Sequence, residues 1–350
     1  MDTPKSSGYF FPAEWQKHEA TWLTFPSHEE SFPGKMDKII PPYMAFMKAI
    51  SKGEKVRINV HDEKVKNKVI KLLEQYNIDK SKIELFINPS DDVWCRDHGP
   101  VFLINPDIYE NNKIIIDWEF NAWGSKYPFE NDNAIPSLIA EKLGYKTYKT
   151  GIIMEGGSVE LNGTGTLITS SACLLNYNRN PHLNKEQLEL YLMNYYGVDQ
   201  ILWLTEGIAG DDTDGHIDDL TRFVSEDTVI TMVELNQNDD NHRPLKENLE
   251  LLKTFKLPDG KTLNIVEIPM PDAVHYNGNR LPASYANFYI CNYAVIVPTF
   301  RCENDKIAID IFEQLFKDRK VIDIDATDIV WGFGSFHCLS QQEPSAEQGE

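Results

Sequence analysis

The chain has 350 residues, with 34 Lys and Arg against 54 Asp and Glu, a formal net charge of −20. That length exceeds what one ordinary core organises, so it calls for two domains or for one core built by repetition. Apolar residues make up 41 % and charged ones 25 %, a globular balance. No uncharged apolar run is long enough for a bilayer, the opening MDTPKSSGYFFPAEW lacks the pattern of a signal peptide, and no basic block suits a phosphate backbone. A soluble cytoplasmic protein is expected, without membrane or nucleic-acid partners, and its acidity suits a small cationic ligand.

Along the chain, β-rich segments recur near 56–60, 114–118, 166–169, 228–233 and 293–297. Each is followed by a stretch of helical periodicity and then by another apolar strand. Val65, Val69, Leu72, Leu73 and Tyr76 share the first helical face; Ile135, Leu138, Ile139 and Leu143 share the second. Leu188, Tyr191, Leu192 and Tyr195 form the third, between a candidate N-cap at Asn184 and a candidate C-cap at Gly197. Leu245, Leu249 and Leu252 mark the fourth, and Ile307, Ile311, Phe312 and Leu315 the fifth. Four of the five recurring strands also follow another strand across a turn, so the unit reads strand, strand, helix, strand. Five ββαβ units suit two domains, a long open sheet or a closed ring, and pattern alone does not choose. No linker divides the chain, and the ends, 1–8 and 343–350, are expected to be flexible.

Reactive residues gather where one unit gives way to the next. WCRDHGP (94–100) follows the first unit, MEGGSVE (154–160) the second, DDTDGHIDDL (211–220) the third, NGNRLPASYANF (277–288) the fourth and GFGSFHCLSQQ (332–342) the fifth. In a pseudo-symmetric ring such connections converge on one pocket. The five cysteines, Cys95, Cys173, Cys291, Cys302 and Cys338, lack C-x-x-C spacing. Cys173 and Cys291 lie in apolar contexts and read as core thiols. Cys338 lies between glycine-rich backbone and a polar run, where a thiol can meet a substrate. His216 is one step from Asp218, so in an extended segment both face the same ligand, and Asp97 and Glu155 add two more acids. This ligand set lacks the paired spacings usual for a transition metal. A Cys-His-Asp acyl hydrolase uses one orienting carboxylate and leaves the other acids unexplained. A planar guanidinium accounts for them, because two carboxylates can each take its fixed fork of donors.

At these residues the chain resembles the agmatine deiminase family of the guanidine-modifying pentein superfamily, to which bacterial-type peptidylarginine deiminases are related. The resemblance is carried by PAEWQKHEATWLTFP (12–26), WCRDHGP, DWEFNAWGSKYPFEND (117–132), EGGSVELNGTGTL (155–167), NRNPHL (178–183), GDDTDGHIDDLTRF (210–223), LPASYANFYI (281–290) and GFGSFHCLSQQEP (332–344). It implies a five-bladed α/β propeller (pentein fold) as one α/β catalytic domain over residues 9–342, with its site on the pseudo-five-fold axis, no metal and no cofactor, and it admits a homodimer. By position, Cys338 resembles the family's nucleophile, His216 its general acid and base, Asp97 and Asp218 its guanidinium-binding carboxylates, and Glu155 the carboxylate that contacts the histidine. The expected reaction is hydrolysis of agmatine to N-carbamoylputrescine and ammonia, a step of polyamine biosynthesis; peptidylarginine or free arginine are alternative substrates. Trp94, Trp123, Asp212 and Asp214 are candidates for the substrate's far amine. Arg280 is expected to pair with an acid, and His337, beside Cys338, to point away from it. Phe25-Pro26 stands where many members have Trp-Pro.

Overall fold

Three of the recurring segments are buried along almost their whole length: Lys113 to Trp118, Thr166 to Ser170 and Ala294 to Thr299 have no exposed side chain. Strands covered on both faces read as continuous apolar runs and suit parallel pairing with helical crossovers. The computed structural model describes residues 2–346, and the pairing follows that logic. In the second sheet Val101–Ile104 runs antiparallel to Lys113–Glu119, which pairs in parallel with Lys146–Ile153 across the helix Glu130–Leu143. The third sheet repeats this with Val159–Leu161, Thr166–Ser170 and Gln200–Leu204 across Lys185–Tyr196. The fourth uses Thr221–Phe223, Thr228–Val233 and Asn264–Pro269 across His242–Thr254. The fifth uses Tyr289–Ile290, Ala294–Thr299 and Lys320–Asp325 across Asn304–Leu315. The molecule is thus a mixed α/β fold built on one repeated unit.

The first sheet departs from the expected unit. It has four strands, ordered Ser340–Pro344, His18–Thr24, Lys55–Val60 and Ile83–Ile87. His18–Thr24 is antiparallel to Ser340–Pro344 and parallel to Lys55–Val60, so segments more than 300 residues apart complete one sheet. A further helix, Met36–Ile50, crosses between the first two parallel strands and buries Ile39, Ile40, Tyr43, Met44, Phe46, Met47, Ala49 and Ile50. Pro41 and Pro42 each remove a backbone donor inside this helix, and the burial of eight side chains carries it through them.

Caps fix the helix ends where the sequence places them. Asn184 and Gln187 form a reciprocal capping box, and Gly197 closes the same helix with φ of 72°. In the fifth helix Ile307 is exposed, and Ala308 and Phe312 carry the burial instead. Of the ends expected to be flexible, 1–8 and 343–350, residues 2–8 and 343–346 are described and make these contacts. Lys5 pairs with Asp199 at 2.6 Å, and Ser7 accepts from Asn105. Glu343 is fully buried, bonded to Lys113, Tyr145 and the Trp22 indole, and paired with Arg57. Residue 1 and residues 347–350 lie outside the described residues. All five cysteines are free, and among the described residues no helix is long and apolar enough to cross a membrane.

Candidate active site

Each reactive cluster lies in, or runs to the end of, the connection from one of these sheets to the next. Their close approach is measured at Gly157, where a Cβ would lie 2.6 Å from His216 Nδ1, 2.9 Å from Asp97 Oδ1 and 3.1 Å from Asp218 Oδ2. Only a residue without a side chain leaves these three groups their shared space. His216 Nδ1 is 3.8 Å from Asp97 and 3.9 Å from Asp218, and its Nε2 is 4.0 Å from Glu155. Asp218 Oδ2 accepts from the Cys338 thiol at 3.5 Å. Cys338, Asp97, Glu155 and the pair His216 and Asp218, from four remote parts of the sequence, are therefore neighbours.

Local structure aims each of them. Asp97 lies in a four-residue helical turn, Cys95–His98, and accepts from the Gly157 amide and the Trp123 indole, both at 2.9 Å. Trp123 sits in a left-handed turn: Ala122, Trp123, Gly124 and Ser125 all have positive φ, and the Lys126 amide closes on Ala122 at 3.1 Å. A backbone so costly for side-chain-bearing residues holds the indole on Asp97. Asp211 organises the loop before His216, accepting from the amides of Thr213, Gly215 and His216.

The charges set protonation. Burial opposes a charged His216, but Asp97, Cys173 and Asp218 outweigh it and hold the imidazole well above its ordinary value. Burial raises Asp97 to about 6, with Asp218 and Glu155 adding to the rise against the opposing pull of His216. Asp218 moves the other way: the hydrogen bond from His337 overcomes burial and holds it below the ordinary carboxylate range. Burial, then Asp218, Asp219 and Asp97, push the Cys338 thiol well up. Four buried polar atoms here, Glu155 Oε2, Asp218 Oδ1 and both ring nitrogens of His216, have no hydrogen-bond partner, an arrangement native proteins keep for ligands or chemistry.

A cleft of about 360 Å³ opens onto Cys338 and Asp97. Trp94, Trp123 and Asp212 line it as the sequence suggested, joined by Glu30, Asp91, Asp92 and Tyr127, which sequence reasoning did not single out. Asp214 does not line it; it is bound to Arg179, Asn178 and Lys126. Arg179, from NRNPHL, also donates to Glu155 at 2.8 Å and so ties that acid to the His216 loop. Arg280 pairs with Asp239 at 2.7 Å, and Phe25 packs edge-on against Tyr43 rather than forming the cleft wall.

One expectation is corrected by contacts. His337 does not point away: Nδ1 is 2.7 Å from Asp218 and Nε2 is 2.9 Å from Glu14. Each ring nitrogen thus faces an acid, and Glu14 is itself held by Arg222 at 3.0 Å and Arg96 at 3.2 Å. Alternation along a strand fails there because residues 336–339 form a turn, with Leu339 donating to Ser335. Cys173 is buried as expected, but its sulfur lies with Glu155 and His216, one ligand atom from each within 4.8 Å of the others. Among the described residues those three are the candidate metal ligands; the Arg179 guanidinium on Glu155 opposes a second cation there.

Residues 10–344 match the family described as Porphyromonas-type peptidyl-arginine deiminase. A relative from Ectopseudomonas mendocina named agmatine deiminase is 32 % identical over 369 residues, covering 99 % of this chain and 98 % of that one. The structure of Enterococcus faecalis agmatine deiminase superimposes with a TM-score of 0.91 at 29 % identity, covering 99 % of this chain and 98 % of the other. A cysteine-to-serine agmatine deiminase of C. jejuni with substrate bound gives 0.87 at 33 % identity, with 97 % of each chain covered. With its repeated α/β unit and its ring of acids about a thiol and an imidazole, this chain belongs to the Porphyromonas-type peptidyl-arginine deiminase family.

Proposed function

We propose that this protein is an agmatine deiminase, hydrolysing the guanidinium of agmatine to N-carbamoylputrescine and ammonia through Cys338. The observation that carries the choice of substrate is the cleft lining: Glu30, Asp91, Asp92, Asp97 and Asp212 contribute carboxylates, and no lysine or arginine is among the lining residues. Free arginine would bring an α-carboxylate into that field, whereas agmatine brings an ammonium that acids and the Trp94 and Trp123 faces accommodate. The names of the relatives above agree with this reading.

In the mechanism, Asp97 and Asp218 seat the guanidinium and Cys338 attacks its carbon. The seated cation offsets the acids that keep the thiol protonated, and the thiol proton leaves to solvent through the cleft. Protonated His216 gives its proton to the departing nitrogen, and ammonia leaves. The amidino-thioether that remains keeps the positive charge. Neutral His216 then takes a proton from water, the oxygen attacks the carbon, and the C–S bond breaks with its electron pair returning to sulfur. The ureido product loses its extra proton to the released ammonia, and His216 is again protonated.

The architecture we infer is a five-bladed propeller in one catalytic domain, extended from the expected 9–342 to include Glu343 and Pro344. The sheet shared by the two ends of the described chain supports closure, and the five converging connections support an axial site. Five unpaired cysteines suit a reducing compartment such as the cytoplasm. The test is ammonia release from agmatine, arginine and an arginyl peptide compared side by side. Agmatine is expected to give the highest kcat/KM, and preference for the peptide would overturn the substrate assignment.

A further inference from the structure

Asn287, in the connection between the fourth and fifth sheets, is used by none of the steps above, yet its side chain touches the reacting sulfur. Its residue is 1 % exposed. Nδ2 is 3.0 Å from Cys338 Sγ and 3.0 Å from Asp219 Oδ1. Oδ1 accepts from the backbone amides of His337 at 3.1 Å and Cys338 at 3.2 Å. Those two contacts decide which way the amide faces. A backbone N–H can only donate, so the atom before it is the oxygen, and the nitrogen with its two hydrogens is turned to the sulfur and to Asp219.

The segment leaves Asn287 little freedom. Ser284 Oγ donates to the Asp219 carbonyl at 2.8 Å and accepts from the Ala286 amide at 3.1 Å, and the Asn287 carbonyl also accepts from His337 at 3.2 Å. The charged or titratable groups set against the sulfur are Asp97, Asp218 and Asp219, with His337 beyond Asp218. The acids disfavour a thiolate. Asp219 is itself held well above the ordinary carboxylate range by burial and then by Asp218 and Asp211.

We propose that Asn287 is a catalytic residue that donates a hydrogen bond to the Cys338 sulfur and stabilises its thiolate, both before attack and when sulfur is expelled. This rests on Cys338 being the nucleophile in the reading above. In the first event the S–H bond breaks, its electron pair stays on sulfur and the proton leaves to solvent. In the second the C–S bond breaks and its pair returns to sulfur. Asn287 keeps its own hydrogens throughout and strengthens one N–H···S contact each time sulfur gains charge.

Two variants separate the donor from the scaffold. Asn287→Asp keeps an oxygen for the two backbone amides and puts a second oxygen where the donor was, whereas Asn287→Ser removes both. In each, the rate of Cys338 alkylation by iodoacetamide is followed against pH, with the modified residue located by mass spectrometry and folding checked by thermal denaturation. We expect the midpoint of the alkylation profile to rise by about one pH unit or more, and kcat/KM for agmatine to fall about tenfold or more. An unshifted midpoint in a folded variant overturns the proposal. In wild-type protein carrying 15N-asparagine, titrating Cys338 should move one side-chain amide pair; no titrating amide would also overturn it, without needing any variant to fold. Alkylation requires no substrate, so a wrong substrate assignment leaves these readouts intact, whereas an active Cys338→Ala enzyme would identify failure of the nucleophile reading itself.

Discussion

Glu14 and His216 are both buried and both central, but they are provided for in opposite ways. Glu14 gives its two oxygens to Arg222, Arg96, His337 and the Ile290 amide. His216 has no hydrogen-bond partner on either nitrogen, and the facing atoms Asp218 Oδ1 and Glu155 Oε2 have none either. Beneath Asp218 the protein pairs each charge with an opposite one; beside Gly157 it assembles charges and leaves them open. The first region is built as structure is built, with paired and bonded ions. The second holds its groups ready for a cation, at the expense of the free protein's own stability.

This contrast can be broken by substitution. Cys338→Ala should reduce ammonia release to background while leaving the thermal midpoint close to wild type, and a clearly active variant would remove the contrast's chemical half. Asp97→Asn should lower kcat/KM by about 10²- to 10³-fold, the scale of losing one partner from a buried charge pair. It should also stabilise the free protein. Raising a carboxyl from 3.8 to about 6 means that ionisation is harder in the folded state, so stability is lost as pH rises through that interval, up to about 3 kcal/mol. A denaturant titration at pH 8 that shows Asp97→Asn less stable than wild type would contradict this. The same ionisation predicts that wild-type kcat/KM falls below about pH 6, and that the Asn variant lacks this limb.

Glu14→Gln probes the satisfied region. Removing one negative charge from between two guanidinium groups should cost about 3 kcal/mol of folding stability, read as a lower denaturation midpoint. A loss of activity without that destabilisation would show that Glu14 belongs with the open region. Asp212→Asn is expected to have the smallest effect, about a tenfold rise in KM for agmatine with kcat nearly unchanged. Its carboxylate already accepts from Tyr127 at 2.7 Å and stands 3.4 Å from Lys126, so much of its charge is offset. A KM for agmatine equal to wild type would place the far amine nearer Asp92 or Glu30.

What the sequence made legible follows the same division. The groups brought together around Gly157 come from short polar motifs between periodic segments, where unusual residue types stand out against a repeated background. The supporting groups do not stand out. Arg179, Glu14 and Arg222 become recognisable only when their partners are known, and those partners are 24 to 323 residues away. Asn287 lay inside a noted motif, but an amide in a loop usually signals a turn; only its backbone contacts distinguish it. The first sheet was obscured for another reason. Periodicity reports local structure, whereas the pairing of His18–Thr24 with Ser340–Pro344 is a choice between distant segments that no local pattern records.

That pairing has a consequence for synthesis on the ribosome. The strand His18–Thr24 is made early and, on the edge that will receive Ser340–Pro344, must wait unpaired until nearly all of the described chain has emerged. Unpaired apolar edges recruit neighbouring chains, and contacts this distant form slowly. The late strand follows Cys338 by two residues, so the same last segment covers the edge and delivers the nucleophile. A product stopped short of residue 338 therefore lacks its reactive thiol and also retains an adhesive edge, which makes inactive fragments the ones most prone to associate.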